Sequence, residues 1–182
     1  MSSSREAKVL IFIVAYNADT TIQSVLTRIP MARLPAATEV LVIDDSSTDQ
    51  TFQTALAHRS ALKGVRLTVL RNPVNQRYGG NQKLGYRYAI DQGFDVVALL
   101  HGDGQYAPEC LPDLIAPVLN GEADACFGSR MMTRGQALKG GMPLYKFVGN
   151  RILTMFQNRL LGSNLTEFHS GYRVYGVAAL KQ

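Results

Sequence analysis

Residues 99–109 read LLHGDGQYAPE. An apolar run ends at His101. Gly102, Asp103, Gly104 and Gln105 follow, before Pro108 and Glu109 open a helix-like segment. An imidazole, a carboxylate and a side-chain amide thus recur at every second position. If the segment stays extended, all three project to one side and the glycines to the other. Asp103 and Gln105 then offer oxygen ligands to one divalent cation, Mg2+ or Mn2+, ions that keep water or substrate phosphate in their shell. Such an ion clamps a diphosphate and neutralises charge as it departs. The plain alternative is a Gly-Asp-Gly turn with no ligand.

Other residues present similar choices. In VIDDSSTDQT, Asp45 or Ser46 reads as a helix cap. A pair of carboxylates, Asp44 and Asp45, exceeds what a cap needs, and one of them can accept a hydrogen bond from a base imide or a ribose hydroxyl. Tyr16 and Asn17 close the first apolar run, either as a core-edge tyrosine and a turn asparagine or as ligand contacts. Arg77 and Lys83 read singly as solvated charges. Arg130, in FGSR, and Arg173, in SGYR, sit beside glycine in strand-like surroundings and suit phosphate. Glu167 reads as a base, an acceptor-positioning group or an arginine partner, and His169 as structural.

The elements that must position these residues alternate. VLIFIVAY (9–16), EVLVIDD (39–45), VRLTVLR (65–71), FDVVALL (94–100) and ADACFGSR (123–130) are strand-like runs. Between them lie helical patterns: residues 19–29 with Asp19 as N-cap, 46–63 capped within Ser46–Asp49, 78–93 stopped by Gly93, and 108–121 begun by Pro108. This repetition predicts an α/β fold, a mostly parallel sheet flanked by helices, with ligands beyond the carboxyl ends of the strands. The first, second, fourth and fifth runs end in AYN, DD, HGDGQ and GSR, so polar residues collect at that edge. Residues 131–143 read as a Gly-rich basic loop, and 167–176 as a further strand. Residues 144–162 form a helical pattern with Leu144, Phe147, Val148, Ile152, Met155, Phe156 and Leu160 at 3–4 spacing, either a core-packing helix or one touching a membrane surface. The pattern breaks off at VAALKQ with no closing element, which predicts one domain over 1–182 that is truncated at its C-terminus.

The chain has 182 residues, one domain's length. No stretch of about 18 apolar residues occurs. The opening MSSSREAK lacks a signal peptide's apolar segment, which predicts a cytoplasmic location. Cys110 and Cys126 fit no metal spacing and read as reduced, partly buried thiols. The net charge of +5 is unevenly spread. Residues 1–124 hold 11 Lys/Arg against 13 Asp/Glu, whereas residues 125–182 hold 8 Lys/Arg against Glu167 alone. A basic last third suits either a solvated face or a phosphate-rich partner: a nucleotide, a lipid phosphate or an anionic membrane surface. No nucleic-acid-binding module is present, so nucleic acid is not the expected partner.

Six segments in order, VAYNADTTI, VIDDSSTDQT, NQRYGGNQKLGYRYA, LLHGDGQYAPE, GSRM and EFHSGYRVY, resemble the family 2 glycosyltransferases of GT-A fold, the Rossmann-like fold of nucleotide-diphospho-sugar transferases. The resemblance is closest to the dolichyl- and polyprenyl-phosphate sugar transferases. It implies inverting transfer of a sugar from a UDP- or GDP-sugar donor to a polyprenyl phosphate acceptor, with Mg2+ or Mn2+ as cofactor, at the inner face of a membrane. It implies that Ala15, Tyr16, Asn17, Asp44 and Asp45 hold the base and ribose. Lys83, Gly102 and Asp103 join the donor-binding set. Asp103 and Gln105 fall on the metal motif, Arg130 and Arg173 on positions that handle phosphate, and Glu167 on an acidic position before the Ser-Gly-Tyr-Arg stretch. The family's metal motif usually opens with Asp, where this chain has His101. The imidazole is then either a neutral ligand or outside the shell, and the reduced negative charge implies weaker metal binding or a preference for Mn2+. The Glu of the family's Tyr-Asn-Glu is replaced by Ala18.

A phosphate acceptor is already ionised near neutral pH and needs no strong base. A saccharide hydroxyl acceptor would need one, with Glu167 the candidate. A nucleotide-binding module without turnover is a reading from another class. A sugar nucleotidyltransferase is disfavoured, because no Gly-rich loop bearing Lys or Arg follows the first strand.

Overall fold

Val9–Ala15 forms β1, and all seven residues are buried. The period of two sends Val9, Ile11, Ile13 and Ala15 into one apolar cluster and Leu10, Phe12 and Val14 into another. A strand buried on both faces reads as an unbroken apolar run, which is what the sequence presents here. The computed structural model describes residues 6–60, 64–132 and 142–181. It divides into two compact units, Met1–Cys126 with Tyr172–Gln182, and Phe127–Gly171.

In chain order the elements are β1, α1 (Ile22–Thr27), β2 (Thr38–Asp44), α2 (Thr51–Ala57), β3 (Arg66–Arg71), α3 (Arg77–Asp91), β4 (Val96–His101), α4 (Leu111–Leu119, led by a 3-10 turn at Pro108–Cys110), β5 (Ala125–Phe127), α5 (Leu144–Leu161) and β6 (Arg173–Gly176). The sheet order is β3-β2-β1-β4-β6-β5. β1 pairs in parallel with β2 and β4, β2 in parallel with β3, and β6 runs antiparallel to β4. The chain thus winds outward through β2 and β3, then returns to the other side of β1. That reversal places a topological switch at the carboxyl ends of β1 and β4.

One face of the sheet packs Ile22, Val25 and Leu26 of α1 with Leu111, Ile115 and Val118 of α4. The other packs Ala89 of α3, Phe94 and Val177, with Tyr86 and Tyr88 against them. Gly85 lets α3 lie close to β1, since a Cβ there would come within 2.0 Å of the Phe12 ring. Gly93, at φ +66°, ends the turn after α3, as the sequence predicts.

Four expectations are corrected. The first helix begins at Ile22 rather than near Asp19, because residues 17–19 are stitched to residues 47–51 instead of winding. The last strand covers only Arg173–Gly176, because Glu167 and Ser170 bond to residues 128–130 in the second unit. Cys110 is exposed rather than partly buried, and neither it nor Cys126 is in a disulfide. The core-packing reading of residues 144–162 fails: Leu144, Val148, Ile152, Met155, Phe156 and Leu160 are all exposed. Their spacing defines a helix, but its inner side is occupied by other residues. Most of the predicted 131–143 loop, residues 133–141, lies outside the described residues. No helix among the described residues is long and apolar enough to cross a membrane.

Gly85→Ala is expected to lower stability by ~1–3 kcal/mol, the usual range for overpacking a tight core. Paired with Phe12→Ala it should cost far less than the sum of the two single changes, as read from urea unfolding.

Candidate active site

Pairing register brings the strand ends level. Asp44 stands opposite Ala15 on one side and Arg71 on the other, and His101 stands opposite Val14. Polar side chains begin where apolar burial stops. Three non-glycine residues near this edge adopt left-handed backbone conformations: Asn17 (φ 47°), Ser46 (φ 60°) and Arg77 (φ 59°). Each costs of order 1–3 kcal/mol and persists only where its surroundings impose it.

The surroundings are a dense polar lattice between the β1 and β2 loops. Ser47 Oγ accepts the Asn17 N–H at 2.9 Å, and Thr51 Oγ1 accepts the Ala18 N–H at 2.7 Å. The Thr48 N–H donates to Asn17 Oδ1 at 3.0 Å. Ser46 Oγ donates to the Asn72 carbonyl at 2.8 Å. Asp49 Oδ1 accepts the Thr51 N–H at 3.0 Å, but α2 starts only at Thr51 and its N-cap is Gln50, without a side-chain cap bond, so the cap expected within Ser46–Asp49 is corrected: those residues are engaged in the loop instead. Tyr16, about half exposed, and Asn17 stand at the rim.

The two adjacent carboxylates differ. Asp44 is fully buried, with Oδ1 accepting from the Ser47 hydroxyl and Oδ2 3.3 Å from Arg71 Nε. Its charge is neutralised inside the loop, as a buried carboxylate requires. Arg71 Nη2 also donates to the Ser47 carbonyl at 2.8 Å, closing the loop onto β3. Oδ1 of Asp45 accepts the Asn72 side-chain amide at 2.7 Å and the Gln76 N–H at 2.8 Å. Beneath it, buried Asn81 of α3 donates to the Ile43 carbonyl at 3.0 Å.

The HGDGQ stretch does not stay extended. β4 ends at His101, Gly104 takes φ +75°, and the Gln105 N–H donates to Asp103 Oδ1 at 3.1 Å. A turn therefore replaces the expected row of three. His101 ends the strand half-buried, its ring 5.2 Å from Tyr78 and 5.0 Å from Tyr106 between centroids. Asp103 and Gln105 lie exposed in the turn. Gly102 belongs where it is because a Cβ would meet Ala15 Cβ and Ile22 Cδ1 at 3.2 Å each. Its N–H donates to the Val14 carbonyl at 2.9 Å, and its carbonyl lies 2.7 Å from Thr21 Oγ1. Among the described residues no three His, Cys, Asp or Glu side chains gather as a metal cage. An exposed carboxylate and an exposed amide form an all-oxygen pair that fits an ion taking its other ligands from phosphate and water.

Arg173 reaches the same edge by an unexpected route. β6 runs against β4, with Arg173 opposite Leu99, so the start of β6 lies at the carboxyl end of β4. Its positive charge acts on Tyr78, whose phenol burial pushes up and Arg173 pulls down. Burial also pushes up the Tyr172 phenol, which donates to the Ala107 carbonyl at 3.1 Å. The buried face of α3 carries Asn81, Gly85 and Ala89, and Lys83 sits on its exposed face.

In the second unit, Glu167 is buried with both oxygens engaged. Oε2 accepts the Arg130 N–H at 2.8 Å, and Oε1 accepts Arg130 Nη2 at 2.7 Å and Asn150 Nδ2 at 3.0 Å. Of the three roles open to Glu167, the geometry is that of an arginine partner. His169 is exposed.

Sequence reasoning missed Thr21, Asn72, Gln76, Tyr78, Asn81 and Asn150. Asn81 carried the clearest signal: a polar residue four positions before Gly85 on the buried face of α3. The others are polar residues whose partners lie far away in the chain.

Residues 10–182 match the model of glycosyl transferase family 2. The undecaprenyl-phosphate mannosyltransferase of Micrococcus luteus is 30% identical over 174 residues, 96% of this chain and 68% of that protein. The UDP-N-acetylglucosamine–dolichyl-phosphate N-acetylglucosaminyltransferase of Methanococcus voltae is 26% identical, over 95% of this chain and 71% of that protein. A mannosyltransferase from Pyrobaculum calidifontis, solved with GDP-Man and Mn2+, superposes with a TM-score of 0.66 at 14% identity. That match covers 98% of this chain but spans only about half of the solved chain, 47%. The fold is GT-A, as expected.

Thr21→Val, which removes the hydroxyl beside the Gly102 carbonyl, is expected to lower stability by ~1 kcal/mol, whereas Thr21→Ser should retain most of it; paired thermal unfolding curves check this.

Proposed function

The chain belongs to glycosyl transferase family 2, and on that premise we propose that it moves a sugar, with inversion, from a nucleotide diphosphate to a polyprenyl or dolichyl phosphate at a membrane surface. The observation that carries this reading is the convergence at one sheet edge of the Tyr16–Asn17 rim, the Asp44–Asp45 loop, the exposed Asp103–Gln105 turn and Arg173. The relatives' own acceptors, undecaprenyl phosphate and dolichyl phosphate, support the acceptor class.

In this reading Ala15, Tyr16, Asn17 and Asp45 receive the base and ribose of a UDP- or GDP-sugar, and buried Asp44 holds their loop in shape. Gly102 brings the backbone close to the diphosphate, and Lys83 adds positive charge from α3. Asp103 and Gln105 would hold Mg2+ or Mn2+, which supplies neutralisation of the departing diphosphate when bound. His101, packed between two tyrosines, shapes the strand end beside that turn. The acceptor phosphate oxygen bonds to the anomeric carbon as the bond from that carbon to the diphosphate oxygen breaks, and the electron pair leaves with the nucleotide. Arg173 stabilises phosphate charge in this step, and Arg130, within the second unit, is the other arginine that the resemblance assigns to phosphate. Glu167 holds Arg130 and acts as a positioning residue.

A saccharide hydroxyl acceptor would need a carboxylate base. Glu167 is buried and engaged on both oxygens by Arg130 and Asn150, so the phosphate acceptor is the reading the site supports.

The test supplies UDP- and GDP-sugars with Mn2+ and either detergent-solubilised undecaprenyl phosphate or soluble saccharides. Product on the lipid phosphate alone is expected. Product on the saccharide, or calorimetric donor binding without transfer or hydrolysis, would overturn the proposal. Asp103→Ala should abolish Mn2+-dependent donor binding in calorimetry, and His101→Ala should weaken it much less. Arg173→Ala is expected to lower turnover by roughly 100-fold with little change in melting temperature.

A further inference from the structure

Tyr78 stands in the first turn of α3, at the carboxyl ends of the strands, and takes no part in the mechanism above. What lies beneath it follows from register. Val97 and Leu99 of β4 belong to the apolar cluster under α3, and Tyr175 and Arg173 of β6 stand directly opposite them. Opposed residues of an antiparallel pair share a face, so Arg173, like Tyr175, lies on the α3 side of the sheet. Tyr175 meets Tyr86 of α3 there, with ring centroids 5.6 Å apart. His101, two residues beyond Leu99, falls on the same face by the period of two. Tyr78, about two helical turns before Tyr86, covers His101 with ring centroids 5.2 Å apart. Gln76, two residues earlier, donates its N–H to Asp45 Oδ1 at 2.8 Å and so ties the start of α3 to the β2 loop. Tyr78 therefore stands between the Asp44–Asp45 loop, the end of β4 and half-buried Arg173.

Its hydroxyl differs from those of its neighbours. Tyr86 Oη accepts the Gln82 side-chain amide at 2.8 Å, and Tyr172 donates to the Ala107 carbonyl at 3.1 Å. Among the described residues none bonds the Tyr78 hydroxyl, and the residue is 46% exposed. Burial holds its phenol above the ordinary range although Arg173 acts in the opposite sense, so the O–H keeps its proton at neutral pH. The ring is anchored on His101 while the hydroxyl remains a neutral donor near a guanidinium. That combination suits an anion with several oxygens. The guanidinium fork grips it, and the phenol adds a charge-assisted hydrogen bond without a second cation to desolvate. We propose that Tyr78 contacts substrate, its O–H donating to an oxygen of the same phosphate that Arg173 grips, a role that rests on the reading above, in which Arg173 handles phosphate. A donor diphosphate and a lipid phosphate present the same oxygens, and the test separates the two.

Tyr78→Phe keeps the ring on His101 and removes only the O–H. One arm measures binding of UDP and GDP with Mn2+ by calorimetry. The other measures KM for detergent-solubilised undecaprenyl phosphate at saturating donor. A loss of roughly 10- to 100-fold is expected in one arm, the size of a hydrogen bond to a charged group, with an unchanged melting temperature. Loss in the first arm assigns the contact to the donor diphosphate, and loss in the second to the acceptor. The same loss should be several-fold smaller in an Arg173→Ala background, because two groups on one phosphate are coupled. A Phe variant equal to wild type in both arms overturns the inference, since the ring would then serve packing alone. Fully additive losses overturn it too, by placing Tyr78 and Arg173 on different groups. Wild-type transfer to the lipid phosphate beside an indifferent Phe variant makes the inference fail alone. A wild-type chain that binds UDP or GDP without transferring sugar makes the reading of function fail, and there an unchanged calorimetric affinity of the Phe variant overturns the inference as well.

Discussion

A strand with apolar side chains on both faces has no flank on which to display a polar group. β1 is buried from Val9 to Ala15, and its neighbours β2 and β4 are nearly as enclosed. Burying an unpaired polar group costs kilocalories, so chemistry is driven to the ends of such strands. Parallel pairing then brings the ends of β3, β2, β1 and β4 level, and the reversal of winding beside β1 opens a crevice there. The position of the candidate site follows from that constraint.

The same constraint explains why Asp44 is not an ordinary solvent-facing carboxylate. It closes β2 in the sheet register itself, opposite Ala15 and Arg71. A charge at that point survives only if neutralised on the spot, and Ser47 and Arg71 do so. The left-handed backbone at Asn17 and Ser46 is held by the same hydrogen bonds. Stability and site shape are thus one network here, and a change in it reaches both.

The strands and their order of alternation with helices were legible because continuous β-branched runs can be buried on both sides in few other ways. The polar strand ends were legible for the same reason. Legibility stopped where a single backbone angle decides the outcome. HGDGQ alternates like a strand, yet Gly104 turns the chain and sends His101 into an aromatic stack while Asp103 faces water. It stopped too where partners are distant: Glu167 meets Arg130 across 37 residues, and nothing local to either announces the pair. For α5, spacing identified the helix but left open what its apolar face meets, because 3–4 periodicity says which residues share a face and not what that face meets.

α5 joins two features that would otherwise be separate. The helix whose outer side is apolar also carries Asn150, which holds Glu167, which in turn holds both the backbone and the guanidinium of Arg130. An ion pair with one buried partner gives little net stability over an apolar replacement, but it fixes geometry, because removing Arg130 would leave the fully buried Glu167 a desolvated charge. Arg130 therefore cannot shift without disturbing Glu167 and Asn150.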